Sequence, residues 1–156
     1  MASRFLHGRV AQYLHGASAI LVPIAFILGP GGTERRVYSA AVDADRQFHE
    51  TLGLCVLALL VMRVLWRLVH ARPVKVVHGL LYALLFAVPM TAIAGAWLEG
   101  HPLTLIGGVQ IAPLWLPSHD LGTKVAVIHK WLGDALMWLA GAHALAGLYR
   151  RHRHRL

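Results

Sequence analysis

Four stretches of this chain are apolar over the length a helix needs to cross lipid. Val10 to Leu28 holds nineteen residues without a formal charge, with His15 and Pro23 among them. Thr51 to Leu68 is the second run, interrupted only by Arg63 and Arg67. Gly79 to Leu98 is uncharged throughout and carries Pro89 at its middle. Val125 to Tyr149 is the fourth, with His129, Lys130, Asp134 and His143 inside it. A bilayer core about 30 Å thick is spanned by about 20 helical residues, and a helix satisfies its own backbone where no water can. Composition agrees: charged residues make up 14% and hydrophobic ones 57% of the chain, where a soluble domain has about 25% and 45–50%. The expected fold class is an all-α membrane protein, a four-transmembrane-helix bundle forming one domain over residues 1–156. The first run ends in Ile-Leu-Gly-Pro-Gly-Gly, which is not a small-residue cleavage site, so it reads as a retained helix rather than a leader.

The cations set a direction. Arg4, Arg9, Arg63, Arg67, Arg72, Lys75, Arg150, Arg151, Arg153 and Arg155 fall on one side of such a bundle. Arg35, Arg36, Arg46, Lys124 and Lys130 fall on the other, together with all seven acidic residues. The excess of Lys and Arg marks the cytoplasmic side, which places both termini in the cytoplasm and the protein in a bacterial inner membrane. A net charge of +8 is of the sign that nucleic acid attracts, but the cations flank apolar runs. The tail Arg150-Arg-His-Arg-His-Arg155 therefore reads as a patch for anionic lipid. Cys55 is the single cysteine, which excludes a disulfide framework, a Cys-rich zinc site and covalent haem attachment through C-x-x-C-H. The connection from Glu99 to Lys124 is long and rich in apolar residues, and is expected to lie as a loop in the outer interface around Trp115.

Ionisable side chains inside a bilayer are costly, and mark functional sites by default. His129 and His143 are fourteen residues apart, about 21 Å along a helix and close to four whole turns, so they share one face near opposite sides of the membrane. His15 lies in the cytoplasmic half of the first run and His49 at the outer start of the second. Chain direction then pairs His15 with His143 inside and His49 with His129 outside. Four residues beyond each histidine, on the same helical face, stand Ala19, Gly53, Gly133 and Gly147. Such cut-away surfaces beneath paired imidazoles suit a flat macrocycle, whereas a bare zinc or copper ion needs ligands converging to about 2 Å. His78 is a rival inner ligand, but Tyr82 stands four residues on and is expected to fill the ring's space. Arg63 and Lys130 are candidate partners for haem propionates. Asp134 is placed to pair with Lys130 or to move protons. His70, His101 and His119 read as loop or rim residues.

The ordered pieces Tyr-Leu-His15, His49-Glu-Thr-Leu-Gly53, Arg63-Val-Leu-Trp-Arg67, His78-Gly-Leu-Leu-Tyr82, Gly100-His-Pro-Leu-Thr-Leu-Ile-Gly107, His129-Lys-Trp-Leu-Gly133 and His143-Ala-Leu-Ala resemble the prokaryotic cytochrome b561 family. The resemblance runs from about His15 to the tail, with one departure: Gly16 follows His15 where the family usually has Trp. It implies a four-helix membrane cytochrome with two non-covalent b haems, with His15, His49, His129 and His143 as axial ligands. It also implies quinone as an electron partner and, in some members, superoxide as an outer-side donor.

With both axial positions filled, outer-sphere electron transfer is the expected chemistry. A role as the haem-bearing anchor of a separate dehydrogenase or hydrogenase, and a His-lined metal or proton transporter, are the alternatives. A transporter would need one continuous polar path rather than two separated histidine pairs. Trp97 and Trp115 are candidates for an aromatic belt or for a quinone pocket near the outer interface.

Overall fold

In the computed structural model, residues 2–31, 34–69 and 76–153 are described, with side chains from residue 9 onward and excepting 34 and 35. Four long helices dominate: α1 (Ala2–Ile27), α3 (Asp43–Val69), α4 (Val76–Leu98) and α5 (His119–Arg153). A short helix α2 (Glu34–Val37) and a 3-10 turn (Ala40–Val42) connect the first two, and strands β1 (Leu103–Thr104) and β2 (Gln110–Ile111) lie before α5. His70, Arg72, Lys75 and Arg155, and the side chains of Arg4 and Arg35, lie outside the described residues.

Each boundary has a local cause. The α1 helix stops at the Gly29-Pro30-Gly31 segment, where the Gly29 N–H turns back to the Phe26 carbonyl at 3.2 Å. The first turn of α3 carries Asp43 and Asp45, and its last turn carries Arg67; both charges oppose the helix dipole. Gly100 ends α4 at φ 84°. The His101 N–H bonds the Ala96 carbonyl at 2.9 Å and the Gly100 N–H bonds that of Trp97 at 3.1 Å, a Schellman closure that needs a left-handed residue.

The helices pack in sequence, α1 against α3, α3 against α4, and most extensively α4 against α5. The α4–α5 contact is close because it is made by small residues. A Cβ added at Gly95 would lie 3.5 Å from the Ala126 backbone nitrogen, and one at Gly122 would lie 2.9 Å from that of Glu99. The α5 helix comes far less near to α1 and α3, which leaves an interior gap between them.

Very little is buried. The core is Val56, Leu60, Leu85 and Leu136, flanked by Leu21, Leu57, Leu81 and Tyr82. Large apolar side chains such as Ile27, Leu68, Trp131 and Trp138 point outward, Trp138 being 83% exposed. A soluble monomer does not expose apolar surface on this scale, and the pattern suits a lipid solvent.

Among the described residues, three helical segments are long and apolar enough to cross a membrane: Arg9–Ile27, Ala40–Val69 and Val76–Leu98. The α5 helix has the length, 35 residues, but Lys130, Asp134 and its histidines and glycines dilute its apolar character.

The connection before α5, expected as a loop, instead carries a short hairpin. Leu103 pairs with Ile111 and Thr104 with Gln110 in an antiparallel ladder, closed by a turn through Gly107 and Gly108 at φ 86° and 79°. The segment is folded because Thr104 and Ile106 give their N–H groups to Glu50 and Thr51 of α3. Lys124 belongs to α5 rather than to a loop.

Candidate functional site

The gap between α5 and the α1/α3 pair is where the histidines meet. The imidazole centroids of His49 and His129 are 6.0 Å apart with the rings at 82°. Those of His15 and His143 are 6.4 Å apart at 85°. Along α1 and α4, His15 and His78 precede the Ala25 and Val88 carbonyls that meet His49 and His129, whereas along α3 and α5, His49 and His129 precede Arg63 and His143, so the four helices alternate in direction. Two imidazoles bonded to one ion from opposite sides at about 2 Å would set their centroids roughly 6 Å apart. Both pairs have that spacing.

The His49–His129 pair is the better organised. His49 Nδ1–H donates to the Ala25 carbonyl at 2.6 Å, an oxygen left open by the tightened end of α1. His129 Nδ1–H donates to the Val88 carbonyl at 2.9 Å. Thr91 Oγ1 lies 3.5 Å from the same nitrogen, but its hydroxyl faces the Ala87 and Val88 carbonyls. A carbonyl only accepts, so both rings carry their proton on Nδ1 and leave Nε2 with its lone pair, the form a metal ligand needs.

Beside these rings is a cavity of about 740 Å³ including its open mouth, walled by Val22, Val88, Ile93 and Met137 and floored by the core residues Val56, Leu85 and Leu136. Its predominantly apolar lining, with the two imidazoles and Glu50 as its few polar groups, is that of a cofactor site. Gly53 and Gly133 both line it, and an added Cβ at either would meet nothing within 4 Å. Gly147, beyond His143, is equally open; Ala19 is exposed. The residues present therefore fit a flat, apolar, iron-bearing ring. Among the described residues no group of three His, Cys, Asp or Glu side chains is arranged for a metal ion alone.

The end at His15 and His143 holds three imidazoles rather than two, because the His78 centroid lies 5.2 Å from that of His143. Arg63 Nη2 is 3.3 Å from His15 Nδ1, and its guanidinium stands 5.1 Å from the Tyr82 ring centroid, with Arg67 at 5.9 Å. Arg63 is thus engaged with His15 and Tyr82 at this end of the bundle. Tyr82 is held by these cations of α3 and by the core.

Other expected residues fall differently. Lys130 and Asp134 are both exposed and form no ion pair with each other among the described residues. Arg46, counted as a surface cation, is buried between Asp43 and Glu50, with Glu50 at 3.0 Å. Lys124 is paired with Asp120 at 2.6 Å. Trp97 is buried and stands edge-on to Trp115 at 4.9 Å, so it faces inward and not a lipid belt. His101 stacks on Tyr38 at 3.5 Å, and His119 opens α5; both are rim positions. Cys55 is an exposed free thiol. Sequence reasoning missed Glu50, which lines the cavity beside His49 and fastens β1 over it. The Gly107-Gly108 pair between apolar residues was the available hairpin signal.

These features define a helical membrane protein with two facing histidine pairs, one near each end of the bundle. The prokaryotic cytochrome b561 family matches residues 6–156. Cytochrome b561 homolog 2 of Escherichia coli (strain K12) is 23% identical over 155 residues, covering 91% of this chain and 82% of that protein. The chain belongs to the prokaryotic cytochrome b561 family, membrane proteins of electron transfer that bind haem b.

Proposed function

We propose that the chain crosses a bacterial inner membrane four times, with both termini cytoplasmic, and conducts electrons between two b haems and a quinone. His49 and His129 hold the outer haem, with Gly53 and Gly133 clearing its face. His15 and His143 hold the inner haem, with Gly147 beside it and Arg63 near its propionates. Lys130 is the outer propionate partner. The observation that carries this reading is the two imidazole pairs at 6.0 and 6.4 Å, about four helical turns apart on α5.

Haem held between two imidazoles would supply a reversible one-electron couple rather than a site for oxygen chemistry. The protein's part is placement and insulation. The Ala25 and Val88 carbonyls keep the outer imidazoles in the ligating tautomer and raise their basicity. Val56, Leu85 and Leu136 lie between the two histidine pairs, so the path joining them is dry and apolar. Electrons can tunnel through such a layer, whereas protons and ions need polar groups or water, which argues against a transporter.

Superoxide as an outer donor is a second reading, in which Lys130, a cation one residue from His129 with no carboxylate partner among the described residues, steers the anion instead of holding a propionate. Steering of an anion needs net local positive potential, and Arg46 and Lys124 are already neutralised by carboxylates. Superoxide-dependent quinone reduction that falls on Lys130→Gln supports this donor; none in the parent protein removes it. Copurification of a dehydrogenase or hydrogenase subunit would instead identify a haem-bearing anchor.

The central test is the spectrum of the purified chain in detergent. Low-spin b-type bands with two haems per chain are expected, and His143→Ala should leave one. A colourless protein, or both haems retained in His143→Ala, overturns the assignment.

A further inference from the structure

The inner end offers two imidazoles for the position opposite His143. Both rings are nearly perpendicular to His143, at 79° for His78 and 85° for His15; His15 stands at 6.4 Å, the spacing of a ligand pair, and His78 at 5.2 Å, slightly inside it, so His78 must draw back a little to face His143 across a ring. The three do not close around a small ion among the described residues, so at any time one of the two faces His143 as a partner.

His15 is also committed elsewhere. Its Nδ1 is 3.3 Å from Arg63 Nη2, and a guanidinium has donors only. That nitrogen therefore accepts, and the neutral ring carries its proton on Nε2. This is the reverse of His49 and His129, whose Nδ1–H groups face carbonyls. To bind a metal through Nε2, His15 must leave Arg63 and move its proton to Nδ1. The steric objection to His78, that Tyr82 fills the space beneath it, loses force because Tyr82 is drawn toward α3 by Arg63 and Arg67.

We propose that His78 is a reserve axial ligand of the inner haem, taking the place of His15 opposite His143 when Arg63 retains His15 or when His15 is removed. The exchange breaks one iron–imidazole bond and forms another, with no change in electron count. His15 keeps its own proton. The inference rests on the assignment of an inner haem to His143 made above.

The test compares the full chain with H15A, H78A, H15A/H78A and H143A, reading haem per chain and the low-temperature electron paramagnetic resonance of the oxidised haems. The parent and H78A should hold two haems. H15A should also hold two, with one low-spin signal shifted, and H15A/H78A should fall to one. The outer haem held by His49 and His129 reports that each variant is folded; should the alanine pair not fold, H15A/H78Q replaces it. Equal haem content and spin state in H15A and H15A/H78A overturns the reserve-ligand inference, as does loss of a haem from H78A with none lost from H15A. Both haems surviving in H143A overturns the underlying assignment instead.

Discussion

The Nδ1 of His49 on α3 lies 2.6 Å from the carbonyl oxygen of Ala25 on α1. In a continuing helix that oxygen would accept the Gly29 N–H, which instead bonds Phe26 at 3.2 Å. The end of one helix thereby fixes the tautomer of a histidine on the next, twenty-four positions away in sequence. A Cβ on Gly29 would come within 3.4 Å of the His49 ring and 3.2 Å of the Phe26 carbonyl.

Gly29→Ala should therefore disturb the outer haem. A weakened hydrogen bond of about 1 kcal/mol corresponds to roughly 40 mV for a one-electron couple. Potentiometric titration should show one of the two haems shifted by that order. Gly31→Ala, where an added Cβ meets nothing within 4 Å, should shift neither.

Filling the cavity should expel the cofactor without displacing backbone. Gly133 lines the cavity and has open space at its Cβ position, so Gly133→Leu is expected to lower haem content from two to one per chain. Gly141→Leu, on an exposed part of the same helix, should leave both. Equal haem content in the two variants would contradict the proposed position of the ring.

The α4–α5 contact should tolerate no side chain at Gly122. An added Cβ would lie 2.6 Å from Glu99 Cγ, 2.9 Å from Glu99 N and 3.1 Å from Leu98 C, and the last two are backbone atoms that cannot rotate away. Gly122→Ala should cost about 1–3 kcal/mol through overpacking, seen as a lower melting temperature in detergent. Gly141→Ala should be neutral or stabilising by up to about 1 kcal/mol through helix propensity.

The ion pairs of the outer side should differ in weight. The Arg46 and Glu50 side chains are each only 11% exposed, and Glu50 also holds the Thr104 N–H. Arg46→Met leaves a buried carboxylate uncompensated, at a cost of about 3–5 kcal/mol. Thermal denaturation should also show β1 detaching early. Lys124→Ala removes an exposed pair with Asp120 and should cost less than about 1 kcal/mol.

Local periodicity and composition carry far in this chain. Runs of about twenty apolar residues require helices in lipid, and the fourteen-residue spacing of His129 and His143 places both on one helical face, so the class and the four paired histidines were legible from residues alone. Which groups complete the site was not, because it depends on contacts between residues distant in sequence. The Ala25 and Val88 carbonyls are invisible to side-chain patterns, since any residue supplies a carbonyl. Arg46 reads as a surface cation until α3 folds it between Asp43 and Glu50. Trp97 resembles a belt residue until α4 turns it toward Trp115. His78 shows the same division: its position in the sequence marks a helix start, and only the packing of α4 along α5 brings it closer to His143 than His15 stands.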